Sequence, residues 1–239
     1  MVMKGESCTE RLLQVFHRLL RHFGPRHWWP AETPFEVVVG AILTQSVAWR
    51  NVEVAIVNLK RLGLLDPRRI LSCPQDVLEE AVRPTRYYRQ KAVRLRDFCR
   101  VLCQEFEGKL DAMFSLEVDV LRKKLLAIKG IGPETADSII LYAADKPVFV
   151  VDAYTKRIFN RLGFFDDSLK YHEIQEFFAL HLPQDVYLFN EYHALIDALG
   201  QNICFASSPE CSGCPVQDMC RFAGGVALPQ CSSPGESLN

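Results

Sequence analysis

Four cysteines near the end of the chain, Cys204, Cys211, Cys214 and Cys220, are separated by six, two and five residues. Thiolates at such short spacing can wrap one centre, and by ligand type that centre is tetrahedral zinc or an iron–sulfur cluster. A second group is K-G-I-G-P-E-T-A-D, residues 129–137, where Gly130 and Gly132 permit a sharp turn and Pro133 suits the first position of a helix. Backbone N–H groups in that turn, the positive end of the following helix and Lys129 suit a phosphate oxygen. From G-I-G alone, an ordinary helix-to-helix turn is the better reading. Nineteen residues separate Gly132 from Asp152, which follows the apolar run V-F-V-V and precedes the periodic A-Y-T-K-R-I-F-N-R-L-G. An aspartate there is an N-cap, and its charged form, favoured by the helix N-terminus, can also stabilise a cation.

The elements that must position these groups read as helices from end to end. Ser7 and Glu10 form a capping box ahead of Leu12, Leu13, Phe16, Leu19, Leu20 and Phe23, and Gly24-Pro25 ends the pattern. Thr33-Pro34-Phe35-Glu36 repeats the device before V-V-V-G-A-I-L. Amphipathic stretches follow at about 50–62, 74–82, 86–106, 117–127, 133–144, 153–162, 169–181 and 185–201. No segment alternates cleanly enough to demand a sheet, and V-F-V-V at 148–151 reads as a buried connector.

At 239 residues and 49% apolar, the chain can bury a proper core as one large domain or two small ones. No apolar run matches a signal peptide or a membrane span, so the expected setting is intracellular, where reducing conditions favour metal-ligating thiols over disulfides. Accordingly Cys8, Cys73, Cys99, Cys103 and Cys231 read as buried or incidental. The net charge of −1 is not that of a generic nucleic-acid binder, yet residues 83–100 carry Arg83, Arg86, Arg89, Lys91, Arg94, Arg96 and Arg100 against Asp97. Such a stripe can hold phosphates; on charge alone a solvated helix face is the plainer reading.

L-L-A-I-K-G-I-G-P-E-T-A-D followed by V-V-D-A-Y resembles the signature of the helix-hairpin-helix, Gly/Pro-Asp (HhH-GPD) DNA glycosylases. The cysteine spacing resembles the [4Fe-4S] loop of the endonuclease III branch of that family. The resemblance covers about residues 7–222 and implies a two-domain all-α fold. In it, residues 1–33 and 145–222 form a cluster domain from both chain ends and 34–144 form a six-helix barrel bearing the hairpin, while 223–239, poor in large apolar residues, read as a disordered tail. It further implies a monomer, cytoplasmic or nucleoid-associated, that holds double-stranded DNA containing a damaged base in the cleft between its domains. Lys129, Gly130, Gly132 and Lys156 would contact that DNA, and Asp152 would support cleavage of the glycosidic bond of a flipped nucleotide.

At the position matching Glu134, lyase members of the family carry a lysine whose amine forms a Schiff base; a carboxylate cannot. The resemblance therefore implies a glycosylase that leaves an abasic site, with Glu134 either taking part in catalysis or serving only as a first-turn acid. W-W-P-A at 28–31 and T-Q-S-V-A-W at 44–49 contain all three tryptophans, which taken alone read better as packing residues. Within the family they resemble the 3-methyladenine DNA glycosylases, placing Trp28, Trp29, Pro30 and Trp49 around the base. An alkylated purine is cationic and stacks well on indoles, with cation–π energy of about 0.5–2 kcal/mol. Gln45 matches the residue inserted into the gap left by the flipped nucleotide. R-P-T-R-Y-Y-R-Q-K-A at 83–92 resembles a second intercalating loop, with Tyr87 as wedge and Arg86 where glycine is usual. Alternatives are a mismatch-specific thymine or uracil glycosylase, and a non-catalytic iron–sulfur DNA-binding protein.

Overall fold

The first helix begins as its sequence dictates: Ser7 Oγ accepts from the Glu10 N–H at 3.2 Å, and Glu10 Oε2 accepts from the Ser7 N–H at 2.7 Å. The computed structural model describes residues 7–225 and Cys231, and among these residues it is helical and turn structure without strands. The α-helices are α1 (Cys8–Phe23), α2 (Pro34–Leu43), α3 (Trp49–Arg61), α4 (Pro67–Ser72), α5 (Gln75–Val82), α6 (Tyr88–Phe106), α7 (Leu110–Phe114), α8 (Val118–Ala127), α9 (Pro133–Ser138), α10 (Ala153–Leu162), α11 (Tyr171–His181) and α12 (Val186–Asn202). Short helices α4 and α7 were not anticipated from periodicity, which needs more than one or two turns to register. The helix expected over 133–144 divides into α9 and a π-helical turn, Ile139–Ala143. No described helix is long and apolar enough to cross a membrane.

The chain forms two units, one from residues up to Trp28 and from Pro147 onward, the other from Trp29–Lys146. In the second unit α2 is central. Its residues from Phe35 to Leu43 are all buried, as a helix apolar on every side must be, and it packs against α3, α6, α9 and the π-helical turn. Thr33 Oγ1 caps it from outside, accepting the Glu36 N–H at 3.2 Å. The Glu36 carboxylate reaches the Glu32 N–H at 3.1 Å and Lys60 Nζ at 2.9 Å, so the second cap is built differently from the first.

The other unit has an aromatic core. Phe149 stacks on Phe178 with centroids 3.9 Å apart, and Phe159, Phe189 and Tyr192 close around them edge-on. Buried Tyr192 donates its hydroxyl to Leu12 O at 2.7 Å, tying α12 to α1. The 148–151 run is buried and strandless, the connector its sequence indicated.

Two expectations need correction. Cys8 and Cys231 are not incidental: they form a disulfide across 223 positions of sequence, with Cα atoms 5.7 Å apart. Sequence spacing carries no signal for such a pairing, since only folding brings the two ends together. Nor is 83–100 a uniformly solvated cationic face. Lys91 is 1% exposed, donating to Leu43 O at 2.8 Å and to Thr85 O, while Arg94 bonds Gln45 and Arg96 bonds Cys73 O. Only the outer members, Arg83, Arg89 and Arg100, pair with surface acids. The tail expected to be disordered lies almost entirely outside the described residues.

Candidate functional site

The hairpin between α8 and α9 is set by Gly130, whose φ of +87° a side chain rarely adopts. A Cβ there would also lie 2.4 Å from Arg94 Nε. Gly132 has an extended backbone and acts as the N-cap of α9, with open space above it. The last residue of the motif, Asp137, is fully buried in a two-point pair with Arg122, at 2.7 and 3.0 Å, which fastens α9 to α8. Lys129 and Glu134 are exposed on the turn. The hairpin thus presents accessible backbone, one cation and one carboxylate on a rigidly held frame.

Gln45, following α2, is held against this hairpin. Its amide donates to Thr135 Oγ1 at 2.7 Å and to Gly130 O at 3.3 Å, and its carbonyl accepts from Arg94. Arg94 therefore serves the turn twice, and neither contact was visible in the sequence.

The 83–87 loop ends in two successive residues at positive φ, Arg86 at +49° and Tyr87 at +46°. Neither is glycine, so the conformation is strained and must be imposed by its surroundings. Lys91 supplies a restraint, since its amine bonds Thr85 O on this loop and Leu43 O at the end of α2. Burial pushes the Lys91 amine down to about 8, with Arg94 and Arg86 acting in the same direction. Tyr87 is left 60% exposed, with the Arg86 guanidinium 5.8 Å from its ring centroid. A large exposed ring on a strained, braced loop is a suitable wedge between bases.

Trp29 and Trp49 meet edge-on with centroids 5.2 Å apart, and Trp29 meets Tyr142 of the π-helical turn at 5.3 Å. Tyr142 was missed because a π turn breaks the periodicity that would have placed it. The Trp29 indole lies against Gly40 of α2, so part of its surface is spent on packing. Trp49 Nε1 donates to Glu53 Oε1 at 3.0 Å, setting a carboxylate beside this aromatic group. Pro30 is exposed in the same unit, while Trp28 belongs to the other.

In that other unit Asp152 caps α10. Its Oδ1 accepts the Thr155 N–H and the Thr155 hydroxyl, both at 2.7 Å, while Oδ2 lies 3.9 Å from His193 Nε2 on α12. The capping oxygen is committed and the other is turned toward the imidazole. Gly200 permits the close approach of α12 to α10, since a Cβ there would overlap Tyr154 at 2.2 Å. Lys156, one turn beyond Asp152, donates to Leu169 O at 3.0 Å.

Cys204, Cys211, Cys214 and Cys220 line one small cavity with Ile203, Pro209 and Phe222, and none of the four is in a disulfide. Among the described residues, no three His, Cys, Asp or Glu side chains are gathered tightly enough for a single ion. Four thiols on one cavity are the ligand set of either zinc or an iron–sulfur cluster. Burial pushes the Cys214 thiol up to about 11; a Val216 backbone hydrogen bond opposes this, and Cys204, Cys220 and Cys211 add to it. Burial raises the Cys220 thiol as well, and a cationic centre among the four half-buried cysteines would hold them as thiolates. Arg161 Nη1 donates to Cys204 Sγ at 3.2 Å and to Phe205 O at 2.7 Å, anchoring the segment to α10.

The model of the HhH-GPD superfamily of base excision DNA repair proteins matches residues 39–184. That of the iron–sulfur binding domain of endonuclease III matches 204–220, beginning and ending on cluster cysteines. A protein of Methanocaldococcus jannaschii whose name assigns it to the DNA repair glycosylases is 45% identical over 90% of this chain and 98% of its own. An endonuclease III in a trapped covalent intermediate with DNA has the same fold, with a TM-score of 0.77 at 23% identity over 92% of this chain and 98% of that one. The Helicobacter pylori 3-methyladenine DNA glycosylase bound to 1,N6-ethenoadenine has a TM-score of 0.71 at 28% identity, covering 82% of this chain and 98% of that one.

Proposed function

Because the chain belongs to the HhH-GPD superfamily of base excision DNA repair proteins, and is thereby a DNA N-glycosylase with a [4Fe-4S] cluster, we propose a finer reading. It is a monofunctional enzyme that hydrolyses the N-glycosidic bond of alkylated, 3-methyladenine-like purines and leaves an abasic site. The observation that carries it is Glu134, an exposed carboxylate in the first turn after the hairpin, where a lyase needs an amine.

The damaged nucleotide leaves the stack, with Tyr87 entering the duplex and the hairpin from Lys129 to Gly132 holding backbone phosphate, aided by Lys156. Arg86 neighbours the wedge, and Gln45 supports the hairpin until DNA engages it. The cationic base is taken by the indoles of Trp29 and Trp49, with Pro30 contributing apolar surface. Glu53 beside Trp49 adds a field that favours a positive ring over a neutral one. When the glycosidic bond breaks, its electron pair goes to the base, which leaves neutral, and the sugar becomes an oxocarbenium ion. Asp152 stabilises that cation through the oxygen not engaged in capping. Water adds to the sugar carbon and loses its proton. The cluster, held by Cys204, Cys211, Cys214 and Cys220, orders the segment after α12.

The absence of a lyase step is tested by reduction. Incubation with a cleavable lesion duplex and borohydride is expected to give no covalent protein–DNA product, and strand breakage should require subsequent alkali or heat. Efficient trapping would contradict the reading and direct attention to exposed Lys129, because Lys91 is too deeply buried to reach a sugar.

A further inference from the structure

Asp152 is not alone on its side of α10. His193 Nε2 stands 3.9 Å from its outer oxygen, and both side chains are only 13% exposed. Asp197 follows one turn later on α12, close enough for its charge to act on both His193 and Asp152. Burial lifts the Asp197 carboxyl above its ordinary range; His193 opposes that rise, Asp152 adds to it, and Gln201 and Arg26 oppose it. From α10, Tyr154 and Arg157 face the same group, and burial, Asp197 and Asp152 together raise the Tyr154 hydroxyl against the pull of Arg157. The segment after α1 supplies Arg26, whose backbone N–H, with that of His27, is held by Glu191 of α12 at 2.7 and 2.6 Å. The helices themselves are locked together by the approach of Gly200 to Tyr154, so these distances are properties of a rigid frame.

We propose that His193 is a positioning residue that acts through Asp152: its protonation places an imidazolium against the catalytic carboxylate and withdraws negative charge from the developing sugar cation. This rests on the assignment of Asp152 as the catalytic carboxylate. A neutral imidazole leaves Asp152 its full field, whereas an imidazolium at this distance, in a mostly buried site, forms an ion pair that competes with the oxocarbenium ion. Base release therefore falls as His193 gains a proton.

The experiment has two arms, both on the cluster-loaded full chain. In the first, release of methylated bases from duplex DNA treated with dimethyl sulfate is measured between about pH 5.5 and 8 for the parent, His193→Gln and Asp152→Asn, less the enzyme-free rate. Each profile is normalised to its own rate at the upper pH, so a uniform loss from structural damage cancels. His193→Gln is expected to retain about three- to ten-fold more of its activity at the acid end than the parent does. In the second, the His193 ring signals are followed by NMR against pH in the parent and in Asp152→Asn, and assigned by their absence in His193→Gln. Loss of the carboxylate charge is expected to move the midpoint of the ring titration to lower pH, whether or not His193→Gln folds well. If Asp152→Asn releases bases as fast as the parent, the functional reading itself fails and the inference falls with it. If Asp152→Asn is inactive but the normalised profiles superimpose and the ring midpoint stays put, the inference alone is overturned.

Discussion

Asp152→Asn is expected to lower the rate of base release by about 10²–10³-fold while leaving the fold and the affinity for an abasic-site duplex close to those of the parent. Asparagine caps a helix as well as aspartate does, and its side-chain oxygen can still accept the two 2.7 Å bonds from Thr155 that begin α10. The substitution thus removes the charge and little else. Affinity for abasic DNA comes mainly from phosphate contacts, which do not involve Asp152 in this account. Single-turnover base release and a binding titration on the same preparation check both halves. A variant that loses duplex binding and activity together would make Asp152 a structural cap rather than the catalytic group.

The second large effect is expected at the cluster. Cys211→Ser should yield protein without visible colour or iron, destabilised by about 4 kcal/mol, the range in which loss of a structural metal falls. The reason lies in what else holds the final described segment. Between Cys204 and Gly225 only Val216 and Met219 are buried apolar residues. Further contacts include Arg157 and Arg161, which bind carbonyls from Gly200 to Ala206, Arg161 over the Phe222 ring at 4.7 Å, the Cys220 thiol on Arg161 O at 3.3 Å, and an exposed pair between Arg18 and Asp218. Three short 3-10 turns with so little core have no independent reason to stay folded. Limited proteolysis should therefore cut the variant between residues 204 and 225 while the aromatic core around Phe149 and Tyr192 survives. Freshly prepared parent protein with a full zinc complement and no iron would contradict the assignment.

Features fixed by neighbours in the chain were legible before the structure was known. Ser7 and Glu10 announce the start of α1, Thr33-Pro34 announces the start of α2, and G-I-G-P announces the hairpin, because each is a local interaction. Asp152 was legible as an N-cap for the same reason. What escaped depends on distant parts of the chain meeting. His193 and Asp197 lie some forty residues from Asp152, and nothing in L-F-N-E-Y-H-A-L-I-D marks them apart from an ordinary amphipathic helix. Arg94 and Lys91 look like members of a charged stripe, and only the fold shows one bracing Gln45 and the other joining the 83–87 loop to the end of α2. Trp28 and Trp29 are adjacent in sequence yet count with different units, a division invisible in the string W-W-P. Tyr142 was hidden by the π turn and Cys231 by the length of chain separating it from Cys8.

The central claim, hydrolytic release of an alkylated purine, is tested most directly by identifying the free base. Duplexes each carrying one defined lesion, including methylated purines, uracil and thymine opposite guanine, are incubated with the parent protein, and the released base is identified by mass. The account predicts methylated purine as the main product, with the strand intact until alkali is added. Robust release of uracil or thymine with no methylated purine would contradict it.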